Sequence, residues 1–516
     1  MKHAEHVVSR FRSFFPQRRL ILVSNREPYV ARRLPGGGLT RVLAPGGLTA
    51  ALDPVMRALG GTWIAWGSPP SGEGPPGPDE WQDRLAVPPQ EPAYDVRRLR
   101  LSDSDVRNYY HGYANQSLWP LCHNLLEHVR FRDRFWKAYQ DVNAAFARAV
   151  VDEARDDALV WLQDYHLALA PGSIRRDRPS TRLLHFWHIP WPPWLVYRIC
   201  PNHRVLLEGL LANDLIAFHL ENFRDNFIRC CEQDLDVLVD WRRHAVVHRG
   251  HVTAVRAHPI SIDAESFREL ASRDDIAKRV GELRARFRFA GLQIGIGVDR
   301  LDYSKGILER LEALRILFTR HPEHVRSFTF IQVGAPSRSE ILAYADLQER
   351  VQTAVERLNK QFGEDDWRPV LYIPQGLTHE ELAALYRLAD VAVVSSLQDG
   401  MNLVAKEFVA AQVDKRGVLC LSEFAGAAEE FPHAIPVNPF YSEGFAEDIH
   451  RALVMPREER RERMERMQAI LDRGDVYSWI EGILADARAA LDLAGRRRRR
   501  GSVSAEADFR PPANRT

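Results

Sequence analysis

Apolar residues in this chain gather in short runs, and between the runs they recur every three or four positions. The runs read as buried strands and the intervening stretches as amphipathic helices. Strands are predicted at "LILVS" (20–24), "TWIAWGS" (62–68), "ALVWLQD" (158–164), "RLLHFWHI" (182–189) and "DLIAFH" (214–219). After "AHPISIDAESF" (257–267) the pattern restarts, with "LQIGIGV" (292–298), "FTFIQVG" (328–334), "VLYIP" (370–374), "VAVVSS" (391–396) and "GVLCLSE" (417–423). Strand alternating with helix predicts parallel sheets covered on both faces. The restart predicts two open α/β halves that meet near residues 258–265. Ligands of such sheets bind beyond the carboxyl ends of the strands, so two facing ends predict a cleft between the halves.

Composition narrows the partners. The chain has 516 residues, 45% hydrophobic and 27% charged, with a formal net charge of +1. No global field draws it to nucleic acid or membrane, and any anion site must be built locally. Cys122, Cys200, Cys230, Cys231 and Cys420 form no CxxC pair, which predicts a reducing, cytoplasmic setting. The N-terminal extension (1–18) carries Phe11, Phe14 and Phe15 between charges and lacks a continuous apolar core, so it reads as an amphipathic helix rather than a signal peptide. That helix packs on the body or, alternatively, lies on a membrane surface. The tail "GRRRRRGSVSAEADFRPPANRT" (495–516) reads as disordered, with Arg496 to Arg500 as a basic run.

Polar residues repeatedly follow the strand ends. Arg26 follows the first, Asp164 and His188 the third and fourth, Arg300 and Lys305 the run 292–298, Arg338 the run 328–334, and Asp399 the run 391–396. One such residue is noise; six strand ends so marked on one predicted side converge if the strands are parallel and the two sheets face each other. Arg300 and Lys305 lie five apart on a strand-to-helix turn. A helix N-terminus contributes only about 0.3–1 kcal/mol toward an anion at an exposed site, too little alone to desolvate a diphosphate. A rigid Arg fork and a mobile Lys charge supply the rest, with Gly306 read as letting the backbone approach. The spacing is not that of a Walker A loop. Gly46 and Gly47, before a helix starting at Leu48, offer a second close backbone approach.

In "DGMNLVAKE" (399–407), Gly400 permits a tight turn and "MNLVAKEFVAA" reads as a helix whose first N–H groups favour acceptor oxygens. Asp399 and Glu407 would be roughly 12 Å apart on a continuous helix, too far to share a proton but suited to gripping two ends of a polyol. A capping Asp and a surface Glu is the alternative. Arg26, Tyr110, Trp119 and Arg338 form another set, with Arg26 and Arg338 able to clamp a phosphate monoester across the cleft. For Tyr110 and Trp119, aromatic packing in the N-terminal core is the alternative.

The segments "SNREPY", "PGGLTAAL", "YYHGYANQSLWPLCH", "WLQDYHL", "FWHIPWP", "DRLDYSKGILERLEA", "SLQDGMNLVAKEFVAAQ" and "LSEFAGAAEE" resemble the trehalose-6-phosphate synthase family of retaining glycosyltransferases, in that family's order from about residue 20 to 485. The resemblance implies a GT-B fold. An acceptor domain (19–260) and a nucleotide-sugar domain (261–475) would be followed by a helix (476–494) crossing back to the first. It implies glucose transfer from a nucleotide-glucose, commonly UDP-glucose, to glucose 6-phosphate, without cofactor or metal. Those two substrates would be the partners; no nucleic acid or membrane is implied, and a homo-oligomer is left open.

The resemblance also assigns roles. Arg300 and Lys305, with the Gly47 N–H, would hold the diphosphate and stabilise the leaving group. Asp399 and the backbone of Met401, Asn402 and Leu403 would hold the glucose, and Glu407 the ribose. Asp164 and His188 would line the sugar site. Arg26, Tyr110, Trp119 and Arg338 would hold the acceptor phosphate. Three features depart from the pattern or point elsewhere. Gln398 stands where many members have Arg, and Gly376 stands where an Asn-Gln-His run often places His near the base. "REPY" and "FWH" also resemble glucosylglycerol-phosphate synthases, which use glycerol 3-phosphate. A catalytically silent sugar-phosphate sensor is the third reading, and retention of Arg300, Lys305, Asp399 and Glu407 argues against it. No phosphatase-type "DxDGT" accompanies these segments.

Overall fold

A computed structural model describes residues 2–500 except 17, 34–38, 45, 68–80, 156–157, 288 and 290; the side chains of 2–4, 33, 39 and 492–500 also lie outside the description. The tail beyond Arg500 therefore falls outside the described residues. The chain divides into two compact units: residues up to Pro259 together with those from Tyr477 on, and Ile260–Val476.

The first unit contains β1 (Arg19–Arg26), β2 (Tyr29–Arg33), β3 (Leu39–Leu43), β4 (Thr62–Trp66), β5 (Arg84–Val87), β6 (Tyr94–Leu99), β7 (Ala158–Gln163), β8 (Arg182–Phe186), β9 (Leu215–Phe218), β10 (Val237–Asp240), β11 (Ala245–His248) and β12 (His251–Ala257). Ten of them form one sheet in the order β10-β11-β12-β9-β8-β7-β1-β4-β6-β5, while β2 and β3 pair as a separate hairpin. The middle is parallel, as the apolar runs predict: β4, β7 and β9 are buried at every position, the mark of strands covered on both faces. Both edges depart from that prediction. β10-β11-β12 and β5-β6 pair antiparallel, and the outermost strands β10 and β5 are only four residues long and partly exposed, as suits sheet edges.

Between β6 and β7 the aromatic segment forms a π-helix, Val106–Leu118. Its wide turns are secured by side-chain amides reaching five residues back, Asn115 Nδ2 to the Tyr110 carbonyl (2.7 Å) and Gln116 Nε2 to that of His111 (2.9 Å). π-turns are rare, mostly single, and cluster at functional sites. The N-terminal helix, Lys2–Phe14, buries Val7 and Phe11, and Phe15 follows them into the core.

The second unit holds β13 (Gln293–Arg300), β14 (Phe328–Ala335), β15 (Val370–Ile373), β16 (Val391–Val394), β17 (Val418–Ser422) and β18 (Ile435–Val437). All pair parallel, in the order β15-β14-β13-β16-β17-β18. Numbered within the unit this is 3-2-1-4-5-6, the doubly wound order of dinucleotide-binding folds. The order reverses between β13 and β16, and that switch point is where such sheets open a crevice for ligands.

The last helix, Val476–Arg500, belongs to the first unit from Tyr477 on. Trp479 packs on Trp161 and Phe186, with ring centroids 5.7 and 5.0 Å away, and Asp486 pairs with Arg256 and His258. Its backbone continues through the arginine run that the sequence assigns to a disordered tail, because arginine is a strong helix former that extends a helix already begun.

Candidate active site

The switch point of the second unit assembles most of the donor residues read from the sequence. β13 ends at Arg300, which is exposed, and the chain turns through a short 3-10 segment, Tyr303–Lys305. Asp302 makes that turn, its Oδ1 accepting the Ser304 N–H at 3.0 Å. Gly306 follows with φ +62°, and a Cβ there would lie 2.0 Å from the Ser395 carbonyl oxygen. The sequence reading gave Gly306 a backbone approach to ligand. The observed approach is instead to the end of β16, which locks the turn to its neighbour. Leu397 N–H reinforces this contact, donating to the Ser304 carbonyl at 2.8 Å.

Lys305 and Asp399 meet directly. Nζ lies 2.6 Å from Asp399 Oδ2, and both side chains are mostly buried. The same oxygen accepts from Ser396 Oγ and Asn402 Nδ2, each at 3.1 Å. The helix predicted from Met401 starts at Leu403 and runs to Ala411; Asn402, at φ 100°, caps it by accepting the Ala405 N–H. Asp399 thus lies outside the helix, and the continuous-helix spacing to Glu407 does not apply. Met401 is buried, and its carbonyl accepts the Ala427 N–H.

Glu407, half-buried on the same helix, accepts from Tyr386 Oη at 3.1 Å. Burial pushes its carboxyl up to about 7, with the Tyr386 bond opposing. It is therefore no simple surface glutamate.

Arg338 follows β14 in a left-handed conformation, φ 50°. Its guanidinium donates to Asp302 Oδ2 (2.9 Å) and Tyr344 Oη (2.6 Å). Burial alone would raise the Asp302 pKa, but the charges of Arg338, Arg300 and Lys305 outweigh it and hold the carboxyl below its ordinary range. Three cations thus share one buried carboxylate, a link the sequence did not reveal.

In the first unit Arg26, at the end of β1, lies over the Tyr110 ring at 4.8 Å and Trp66 at 5.8 Å. Tyr110 stacks on His166. Trp119 is buried and stacks on His123 at 4.2 Å, so the core-packing alternative describes its surroundings. Asp164, at φ 72°, accepts the N–H groups of Tyr165 (2.9 Å) and His188 (3.1 Å), joining the ends of β7 and β8. The His188 imidazole sits 2.9 Å from Gln163 Oε1. Burial, then the neighbouring His219 and His185, holds it well below its ordinary range. His188 is a neutral hydrogen-bonding group near neutral pH. Gly47 opens the helix Gly47–Leu59, preceded by Gly46 at φ 148°. The acceptor set is thus divided: Arg26 and Tyr110 are in contact, Trp119 packs nearby on Tyr165, and Arg338 belongs to the second unit.

One group of metal-type side chains among the described residues lies at the other end of the helix Ile307–Arg320: His321, Glu323 and His450. The two imidazoles stack at 3.7 Å and 10°. Stacked rings hold their lone pairs parallel rather than converging on one point, and a bound ion needs convergent ligands.

Glycosyltransferase family 20 matches residues 18–489. The chain is 32% identical over 504 residues to the alpha,alpha-trehalose-phosphate synthase (UDP-forming) 1 of Aspergillus fumigatus, covering 96% of this chain and 95% of the relative. Its structure is similar to that of an alpha,alpha-trehalose-phosphate synthase (UDP-forming) from Burkholderia xenovorans in complex with glucose-6-phosphate. The TM-score there is 0.81 at 32% identity, over 91% of this chain and 100% of the other. It is equally similar to an E. coli structure described as trehalose-6-phosphate bound with UDP-2-fluoro glucose (TM-score 0.81, 32% identity, 91% and 99% covered).

Proposed function

The chain belongs to glycosyltransferase family 20, and on that premise we propose that it transfers glucose from UDP-glucose to glucose 6-phosphate with retention, giving α,α-trehalose 6-phosphate. The observation that carries this reading is the switch point itself: Arg300, Lys305, Asp399 and the start of the helix Leu403–Ala411 gathered at the ends of β13 and β16. Cations beside a helix N-terminus suit a diphosphate.

In this reading Arg300 and Lys305 take the diphosphate, with the Gly47 N–H contributing, and neutralise charge on the departing UDP. Lys305 exchanges part of its bond to Asp399 for phosphate oxygens. Asp399 and the backbone of Met401, Asn402 and Leu403 then hold the glucose, and Glu407 the ribose hydroxyls. A leaving-group oxygen takes the proton of the attacking hydroxyl on the same face of the sugar, so retention follows without a covalent enzyme intermediate. Asp164 and neutral His188 line the sugar, and Arg26, Tyr110, Trp119 and Arg338 receive the acceptor phosphate. A cytoplasmic setting fits the five cysteines, all buried and unpaired.

The test is a product assay with UDP-, GDP- and ADP-glucose against glucose 6-phosphate and glycerol 3-phosphate. Trehalose 6-phosphate from UDP-glucose is expected. Turnover only with glycerol 3-phosphate would replace the acceptor, and binding without turnover would make the chain a sensor.

A further inference from the structure

We propose that Arg310 is a positioning residue that sets the geometry of the Arg300–Lys305 turn. It lies on the inner face of the helix Ile307–Arg320, in an apolar stripe with Ile307, Leu311, Leu314 and Leu317, and is fully buried. Its Nη1 donates to Asp299 Oδ2 (2.7 Å) and Gln332 Oε1 (2.9 Å), and its Nε to Ser395 Oγ (3.0 Å). Space for the guanidinium exists because residue 297 is glycine: a Cβ there would lie 2.1 Å from Nη1.

Each partner leads to the turn. Asp299 immediately precedes Arg300 on β13. Ser395 Oγ turns its proton toward the carbonyls of Lys305 (3.0 Å) and Gly306 (2.8 Å). Arg310 therefore joins β13, β14, the end of β16 and the turn in one network directly beneath both cations. Stability is a poor reason for it. A buried ion pair is weak evidence of net stabilisation, and Nη2 has no hydrogen-bond partner among the described residues. Holding two charges against a leaving group is a task in which a displacement of about 1 Å costs about 10²-fold in rate.

The inference rests on the donor reading of Arg300 and Lys305. Its test takes the full chain with Arg310→Lys, Ser395→Ala and, alongside, Arg300→Ala. Each is measured for kcat and KM with both substrates, for UDP affinity and for thermal midpoint. Arg310→Lys is expected to lower kcat by about 10²-fold and to weaken UDP binding, while KM for glucose 6-phosphate stays within twofold. Ser395→Ala, the milder change, moves the same constants in the same direction and decides the matter if Arg310→Lys does not fold. A purely structural role would shift the midpoint and the active fraction but leave the folded fraction's UDP affinity at the wild-type value. If Arg300→Ala is severely impaired while the other variants keep wild-type kcat and UDP affinity, the positioning role is overturned. If Arg300→Ala itself binds UDP normally, the donor reading falls first.

Discussion

With Glu407 on the donor ribose as proposed, stability and donor binding would hang on the same proton. Its carboxyl is raised from an ordinary 4.5 to about 7, by burial, against the hydrogen bond from Tyr386. The folded protein thus holds this proton more tightly than the unfolded chain, and stability falls as pH rises from 4.5 through 7. At about 1.4 kcal/mol per pH unit, ionising Glu407 in place costs on the order of 3 kcal/mol above pH 7. Glu407→Gln keeps an acceptor for Tyr386 Oη and removes the charge. Urea unfolding at pH 8 should find the variant more stable by up to about that 3 kcal/mol, and the gap should close by pH 5. Function runs the other way, because ribose hydroxyls bond more strongly to a carboxylate than to an amide. At pH 7 the free enzyme is about half protonated at this site, so UDP binding should release about half a proton, measurable by calorimetry in buffers of different ionisation enthalpy. The variant should bind UDP more weakly and release correspondingly less. Identical stability profiles for the two proteins, or equal proton release, would refute the reasoning.

Four further outcomes are expected. Arg300→Ala and Lys305→Ala each lower kcat/KM by about 10²–10³-fold, with circular dichroism unchanged; steady-state rates of wild-type size would remove the diphosphate role. Arg338→Ala raises KM for glucose 6-phosphate far more than for UDP-glucose. It also takes from buried Asp302 its hydrogen-bonded cation while Arg300 and Lys305 remain, lowering stability by less than the about 3–5 kcal/mol of an uncompensated buried charge. Because the Asp302 carboxyl is held below its ordinary 3.8, its contribution is present above that pH and is lost on acidification. Acid unfolding should therefore show a weaker dependence on pH in Asp302→Asn. Gly306→Ala sets a Cβ against the Ser395 carbonyl at positive φ and should cost more than about 1 kcal/mol; Gly376→Ala, where a Cβ meets open space, should be near neutral in the same melt.

The central strands and the position of Arg300 and Lys305 were legible because parallel, doubly covered strands leave unbroken apolar runs, and polar residues at their ends stand out against them. What was hidden lay where local pattern carries no periodic signal. β10 and β5 are edge strands of four residues, too short to show a period and stabilised by one neighbour each. The π-helix over 106–118 differs from an α-helix by a hydrogen-bond shift that composition does not encode. Arg310 did leave a trace, a charge inside the apolar stripe of its helix and a glycine in the facing strand, but its meaning depends on which strands are adjacent. The Arg338–Asp302 pair joins residues that follow different strands, so only the β13-β14 pairing brings them together.

The packing of Trp479 against Trp161 and Phe186 sets a timetable for synthesis. The first unit is interrupted, and roughly two hundred residues of the second must be translated before its closing helix exists. At about 5–20 residues per second, the β7–β8 face that Trp479 covers stays open for about 10–40 s on the ribosome. Premature termination anywhere in the second unit would release a first unit with that aromatic face exposed, a natural target for chaperones and proteases.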